Sequence, residues 1–211
     1  MKNFLAIDTS CEYMSIVAAK DGQVFTSFTP DCTMRHSVLI MQKVDELLTR
    51  ANLKAEECDF FSAVVGAGSF TGIRIGISAV KGFCLAFGKP ALPVTSFDVA
   101  AYNAVDNKKG KILCLVDALH DSYYACGYED GEIIYPPAYI AEEEVLRLRE
   151  KEGFSLRSCV KLPLSERVEV TLVDPTEGLK NAVLARSKQN AFGELDALYI
   201  RKSSAELNLC R

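Results

Sequence analysis

The rhythm of apolar and polar positions marks out elements along this chain before composition or chemistry is considered. Phe4 to Asp8 is a short apolar run ending in a carboxylate, and Met14 to Ala19 and Val24 to Phe28 are two more runs of strand length. Asp21-Gly22 stands between the last two, and both residue types accept positive φ, so the pair predicts a tight hairpin. Val38, Met41, Val44, Leu48 and Ala51 then recur at helical spacing, with Leu39 and Leu47 beside them, which predicts a first helix over about 34–51. Phe60 to Val65 reads as a buried strand and Gly72 to Phe87 as a second helix. Ala91 to Val94 and a helix from about Ser96 to Val105 follow.

The same plan returns further on. Leu113 to Asp117 is again a strand ending in aspartate, Tyr123 to Tyr128 is another, and Asp130-Gly131 turns into Ile133-Ile134. Asp8 to Asp21 and Asp117 to Asp130 are each 13 residues apart, so one offset of 109 aligns both pairs. Glu142 to Glu152 is a shorter, more charged helix. Val168 to Val173 is a strand, and Asp174-Pro175-Thr176 announces a helix running to about Gln189. On this reading Val168 to Gln189 answers Phe60 to Phe87. A β-β-β-α-β-α order used twice predicts an α/β protein of two related lobes facing each other across a cleft, a layout that resembles the actin-like (ASKHA) fold. The lobes would span 1–108 and 109–211, with a link at Asn107-Lys108-Lys109-Gly110.

Two features between the second strand–helix pair carry candidate chemistry. Val65 to Gly76 passes from strand to helix through Gly66, Gly68 and Gly72, and Ser69 or Thr71 can cap the helix. Such a turn either closes tightly on its own backbone or presents N–H groups to an anion, with Asp8, Thr9, Gly68 and Ser69 as the contacts. The spacing is neither that of a dinucleotide loop nor that of a P-loop. Along the helix, Gly72, Gly76, Ala79, Gly82 and Ala86 fall on one side, while nearly every other position is large and apolar. A helix apolar all round is expected to be buried all round. Its small-residue side needs a partner, either another helix of this chain or a helix of another subunit. Arg74 is one of only two charges on it, so a structural partner for its guanidinium is expected.

Bulk numbers narrow the field. With 211 residues, 49% apolar and 25% charged, the chain is ordinary globular material. A net charge of −4 speaks against gripping a nucleic-acid backbone unaided. No apolar run comes near the ~20 residues of a membrane span and Asp8 arrives too early for a secretory signal, so a cytoplasmic protein without membrane contact is expected. Eight scattered cysteines with no C-x-x-C pair read as small buried hydrophobes in a reducing compartment, with Cys210 at the tail as an exposed thiol.

Leu5-Ala6-Ile7-Asp8-Thr9-Ser10, Arg35-His36-Ser37, the Gly66–Gly76 loop, Val116-Asp117-Ala118 with Tyr123-Tyr124, and Leu198-Tyr199-Ile200-Arg201 together resemble the bacterial TsaB family, also called YeaZ. The matches cover most of the chain in order. One departure is Ala67, where that family's loop commonly has proline. The resemblance implies an actin-like fold with a reduced C-terminal lobe. It also implies a non-catalytic subunit in making threonylcarbamoyladenosine beside the tRNA anticodon. Its partners would be a catalytic relative (TsaD) and an ATPase (TsaE), with ATP used by the complex, no cofactor held by this chain alone, and tRNA met only through the complex. In isolation it would form a homodimer. Partner contacts are expected on the first two helices, at Arg35, His36, Met41, Val44, Gly72, Gly76, Ala79 and Phe83.

The residues themselves agree that catalysis is missing. Catalytic relatives of this fold hold a metal with an H-x-x-x-H pair on the first helix; here Ile40 stands four residues after His36 and offers no ligand atom. His36 is then a helix-start or surface residue. The first strand's tip, Thr9-Ser10-Cys11-Glu12, has no glycine for a phosphate and carries a carboxylate that would repel one. Two other readings remain: a small-molecule kinase built around Asp8 and Asp117, and a degenerate glycoprotease-like peptidase, although no nucleophile constellation supports the latter.

Overall fold

The computed structural model describes residues 2–103 and 110–201. The chain opens with β1 (Phe4–Asp8), β2 (Met14–Lys20) and β3 (Gln23–Thr29), then α1 (His36–Arg50), β4 (Phe60–Val64), α2 (Phe70–Phe87), β5 (Ala91–Val94) and α3 (Ser96–Ala101). After the link come β6 (Ile112–Asp117), β7 (Ser122–Glu129), β8 (Glu132–Ala141), α4 (Glu142–Glu152), β9 (Ser155–Ser158), β10 (Val170–Leu172) and α5 (Pro175–Lys188). Both Asp-Gly hairpins form, with Asp21 and Asp130 at φ 49° and 51° and Gly22 and Gly131 at 88° and 84°.

The two five-stranded sheets have one topology. Their orders are β3-β2-β1-β4-β5 and β8-β7-β6-β9-β10, with the first three strands antiparallel and the rest parallel. That match corrects the alignment of the halves read from the sequence. The counterpart of β4 is β9, a strand the hydrophobic pattern did not reveal, and β10 answers β5. The segment between β9 and β10 is too short for a second α2 and holds a single 3-10 turn at Pro163–Glu166. Hence the helix begun by Asp174, whose carboxylate accepts the N–H groups of Thr176 and Glu177, answers α3. The C-terminal half is the reduced one.

The lobes also exchange helices. From the second half, α5 lays Leu179, Ala182 and Val183 against Phe4, Ala6, Val17 and Ala19 of the first sheet. In return, α3 lays Phe97 and Ala100 against Cys114, Val116, Cys126 and Tyr128 of the second. The two cross at Gly178, where a Cβ would stand 2.0 Å from the Val99 carbonyl oxygen. The expected boundary at 108/109 lies outside the described residues. The opposite face of the first sheet is covered by α1 and α2, with Phe61 of β4 stacked on Phe83 of α2 at 5.3 Å.

Only one side of α2 is covered. Gly72, Ile73, Gly76, Ile77 and Val80 are buried, whereas Leu85 is 85% exposed. The expectation of burial on every side fails because a helix lying on a sheet with no further layer above it keeps its outer arc in water. This eighteen-residue helix, mean hydropathy 1.4, also reaches the length and apolarity of a short membrane span, correcting the statement that no run approaches one. Its inner side lies on β4, and its outer arc carries Arg74 and Lys81.

Candidate functional site

At the tip of β1 the glycine loop closes on its own chain. A Cβ on Gly68, which has φ 148°, would stand 2.2 Å from the Ser10 carbonyl oxygen. A Cβ on Gly72 would stand 2.1 Å from the Thr9 oxygen. The Thr9 hydroxyl donates to the Gly72 carbonyl at 2.7 Å, and the Ser69 N–H donates to the Ser10 carbonyl at 2.7 Å. Ser69 is the N-cap of α2, accepting the Gly72 N–H. Of the two readings of this loop, the tight turn is the one its hydrogen bonds support. The small-residue side of α2 is explained by the same contact: Gly76 faces the Thr9 hydroxyl, where a Cβ would stand 2.6 Å away. Gly72 and Gly76 are therefore engaged within the protomer and do not serve a partner. Gly82, one step further along, has open space.

Asp8 is fully buried at this tip. One carboxylate oxygen accepts the Ser10 N–H and hydroxyl at 2.8 and 2.7 Å, and the other accepts the Tyr13 hydroxyl at 3.0 Å. Burial pushes its pKa above the ordinary 3.8, against the Ser10 and Tyr13 hydrogen bonds and the nearby His36. The carboxylate is turned inward, with three hydrogen bonds to its own lobe, and Thr9 is buried as well. Across the lobe junction Cys11 and Cys159 line one small cavity with Tyr13 and Ser96. Burial raises both thiols, Cys11 to about 12 with help from Asp8. The seven described cysteines are free; Cys210 lies outside the described residues.

The raised Asp8 has a thermodynamic consequence. Its native carboxyl holds a proton more tightly than its unfolded one, so its stabilising contribution is complete below about 3.8 and is lost as pH rises through the native value. Asp8→Asn, which keeps an acceptor for Ser10, removes that dependence. In denaturant titrations the stability of the variant relative to wild type should rise as pH climbs above about 3.8. A constant difference would mean that Asp8 is not desolvated in the native protein.

The open cleft between the lobes, about 650 Å³, runs from Ser10, Glu12 and Gly68–Gly72 to Val116–Leu119 and Tyr124. Asp117 caps the Leu119 N–H at 2.8 Å, and Leu119, His120 and Asp121 all take left-handed φ between 52° and 64°. The tail lines an adjoining pocket of about 500 Å³ with Ala67, Phe70 and His120. Leu198 N–H donates to the Val65 carbonyl at 2.7 Å, and Leu198 and Ile200 join the inter-lobe core. Tyr199 stacks on Phe70 at 4.9 Å, and Arg74 lies 3.7 Å over Phe70 while its Nε donates to the Tyr199 hydroxyl at 2.8 Å. Arg74 thus has the structural partner expected of it, an aromatic pair in place of a carboxylate.

The remaining sequence-predicted residues separate by depth. His36 begins α1 but is buried, its Nε2 within 2.9 Å of the Tyr13 carbonyl, so the surface alternative for it falls. Val44 sits at 2% exposure, packed in the core with only its edge at the floor of the groove between α1 and α2. Arg35, at the helix start, is exposed. Met41 is 55% exposed, and Ala79 and Phe83 are half-buried beside it. Met41, Asp45, Leu48 and Phe83 line an open groove of about 530 Å³ between α1 and α2. Val38, at 76% exposure, lies on the outer side of α1, Met34, at 90%, stands just ahead of α1 at the inter-lobe cleft, and Leu85, at 85%, lies on the outer side of α2.

A model of the family described as TsaD, tRNA N6-adenosine threonylcarbamoyltransferase, matches residues 23–205. The chain belongs to this family. Within it the similarity to TsaB (YeaZ) proteins anticipated from the sequence holds. The tRNA threonylcarbamoyladenosine biosynthesis protein TsaB of Escherichia coli K12 is 31% identical over 129 residues, 61% of this chain and 55% of that protein. A tRNA N6-adenosine threonylcarbamoyltransferase of Chloroherpeton thalassium is 28% identical over 119 residues, 50% of this chain and 34% of that one. The chain spans about half the length of the TsaB proteins it matches. YeaZ from Pseudomonas aeruginosa has the same fold, with a TM-score of 0.79 at 22% identity over 94% of this chain and all of that one. The two-lobe α/β reading holds for this member of the TsaD family, in the fold that YeaZ shares. Its exposed apolar residues Met34, Val38 and Leu85 were missed as candidates, because a helical apolar pattern does not say which of its members the protein's own sheet covers.

Proposed function

We propose that this chain is a non-catalytic subunit for threonylcarbamoyl transfer to the tRNA adenosine next to the anticodon. It binds and activates a TsaD-like catalytic relative, and a TsaE-like ATPase joins the pair and uses ATP. The observation that carries this reading is the exposed apolar surface of α1 and α2, with Val38 and Leu85, and Met34 just ahead of α1, each more than three-quarters exposed. Such a surface is what a protein docking site offers. The names of its TsaB relatives supply the process. Asp8, turned inward onto Ser10 and Tyr13, and Glu12, beside the cleft, both weigh against the kinase alternative. With a net charge of −4 the chain would meet tRNA through the complex, in the cytoplasm.

The test is reconstitution with purified catalytic relative, tRNA and the threonylcarbamoyl donor, scoring the modified nucleoside after digestion. Product is expected only when this chain is added. Equal yield without it overturns the reading.

A further inference from the structure

Where the tail meets both lobes, aromatic rings and arginines gather at one pocket. Tyr199 of the tail stacks on Phe70 at the start of α2, with Arg74 over Phe70 at 3.7 Å. At the same pocket of about 500 Å³, Arg201 lies 5.0 Å over Tyr139 of β8, and Tyr139 is 5.9 Å from Tyr124 of β7. Phe70, Tyr139 and Tyr199 are each more than a third exposed, so ring surface is left for a further layer. Among the described residues the lining holds His120 and Arg201 and no carboxylate. Glu12 and Asp117 line the neighbouring cleft, where Asp117 is bonded to the Leu119 N–H. The pocket is thus a positive spot on a chain of net charge −4. Exposed rings beside guanidinium groups suit an unstacked nucleotide, whose base stacks on a ring while its phosphate meets a cation.

We propose that this pocket takes an unpaired nucleotide of the tRNA when the complex with the catalytic relative engages it. The base stacks beside Tyr199 and Phe70, and Arg74 and Arg201 meet its phosphates. This rests on the reading of the chain as a subunit for tRNA modification. The contact is one local addition to an RNA held by the whole complex, in keeping with a net charge too negative to hold tRNA tightly alone.

The chain contains no tryptophan, so Tyr199→Trp places a single indole at the pocket. Titrating this variant of the full chain with a short single-stranded RNA at about 20 mM salt should quench its emission, with half the effect below about 1 mM RNA. Dextran sulfate, a polyanion without bases, should leave the emission unchanged. No quench by about 1 mM RNA, or an equal quench by dextran sulfate, overturns the inference, and neither result depends on a partner subunit. In the complex, Arg201→Glu is expected to weaken binding of an anticodon stem-loop RNA about tenfold by fluorescence anisotropy, and to lower the logarithmic salt slope by about one. Arg201→Lys should stay within about threefold of wild type, since it keeps the charge. Unchanged RNA affinity in Arg201→Glu overturns the inference. So does a loss of affinity for the catalytic relative measured without RNA, which would assign the pocket to a protein contact. Failure of the wild-type chain to stimulate modification would instead strike the subunit reading, and is scored separately by the nucleoside.

Discussion

Gly72→Ala is expected to destabilise the protein by about 3–5 kcal/mol, lowering the thermal midpoint by roughly 10 °C in a chain of this size. The added methyl would stand 2.1 Å from the Thr9 carbonyl oxygen, and neither side can give way. Thr9 continues β1, which pairs with β2 and β4, and its hydroxyl is bonded to the Gly72 carbonyl. Moving α2 outward would open its contact with β4. Gly82→Ala, ten residues along the same helix, meets nothing within 4 Å and should stabilise by up to about 1 kcal/mol through helix propensity. Calorimetric melting of the two variants reads both signs. A mild effect at Gly72 would mean that the β1 tip and α2 are not in contact. Gly76→Leu is unsuitable as an interface probe for the same reason, because its first carbon already collides with the Thr9 hydroxyl.

Much of this architecture was legible in the sequence, and what was hidden has physical causes. The Asp-Gly hairpins and the repeat offset were readable because turn chemistry is local. Strand β9 was not, since Ser155-Leu156-Arg157-Ser158 has no apolar run. Its buried Arg157 is accommodated by the Asn103 carbonyl at 3.2 Å, a contact across 54 residues. The exchange of α3 and α5 is equally silent in sequence: an apolar helical stripe does not state which sheet it will cover. The glycines of α2 suggested a partner helix, whereas the groups that approach Gly72 and Gly76 are the carbonyl and the hydroxyl of Thr9, a single residue at a strand tip with no pattern of its own. His36 and Asp8 kept the residue types of a site while their hydrogen bonds turned inward, to the Tyr13 carbonyl and to Ser10 and Tyr13.

Leu85→Asp and Val38→Asp should leave the fold intact and abolish function. Both side chains are more than three-quarters exposed, so each change should move the melting temperature by no more than a degree or two, in line with surface substitutions worth about 0.5 kcal/mol. In a complex that buries the α1/α2 face the same change removes about 1.5–3 kcal/mol of apolar burial. It also forces a carboxylate into the contact, which costs more still unless a cation meets it. Together these predict at least a 100-fold weaker association with the catalytic relative, equivalent to about 2.7 kcal/mol, read by titration calorimetry, and loss of the modified nucleoside on reconstitution. The two variants lie on different helices, so a docking surface spanning both must lose affinity from either one. Loss from Leu85→Asp alone would confine the contact to α2. Full affinity in both would remove this face from partner binding, however apolar it is.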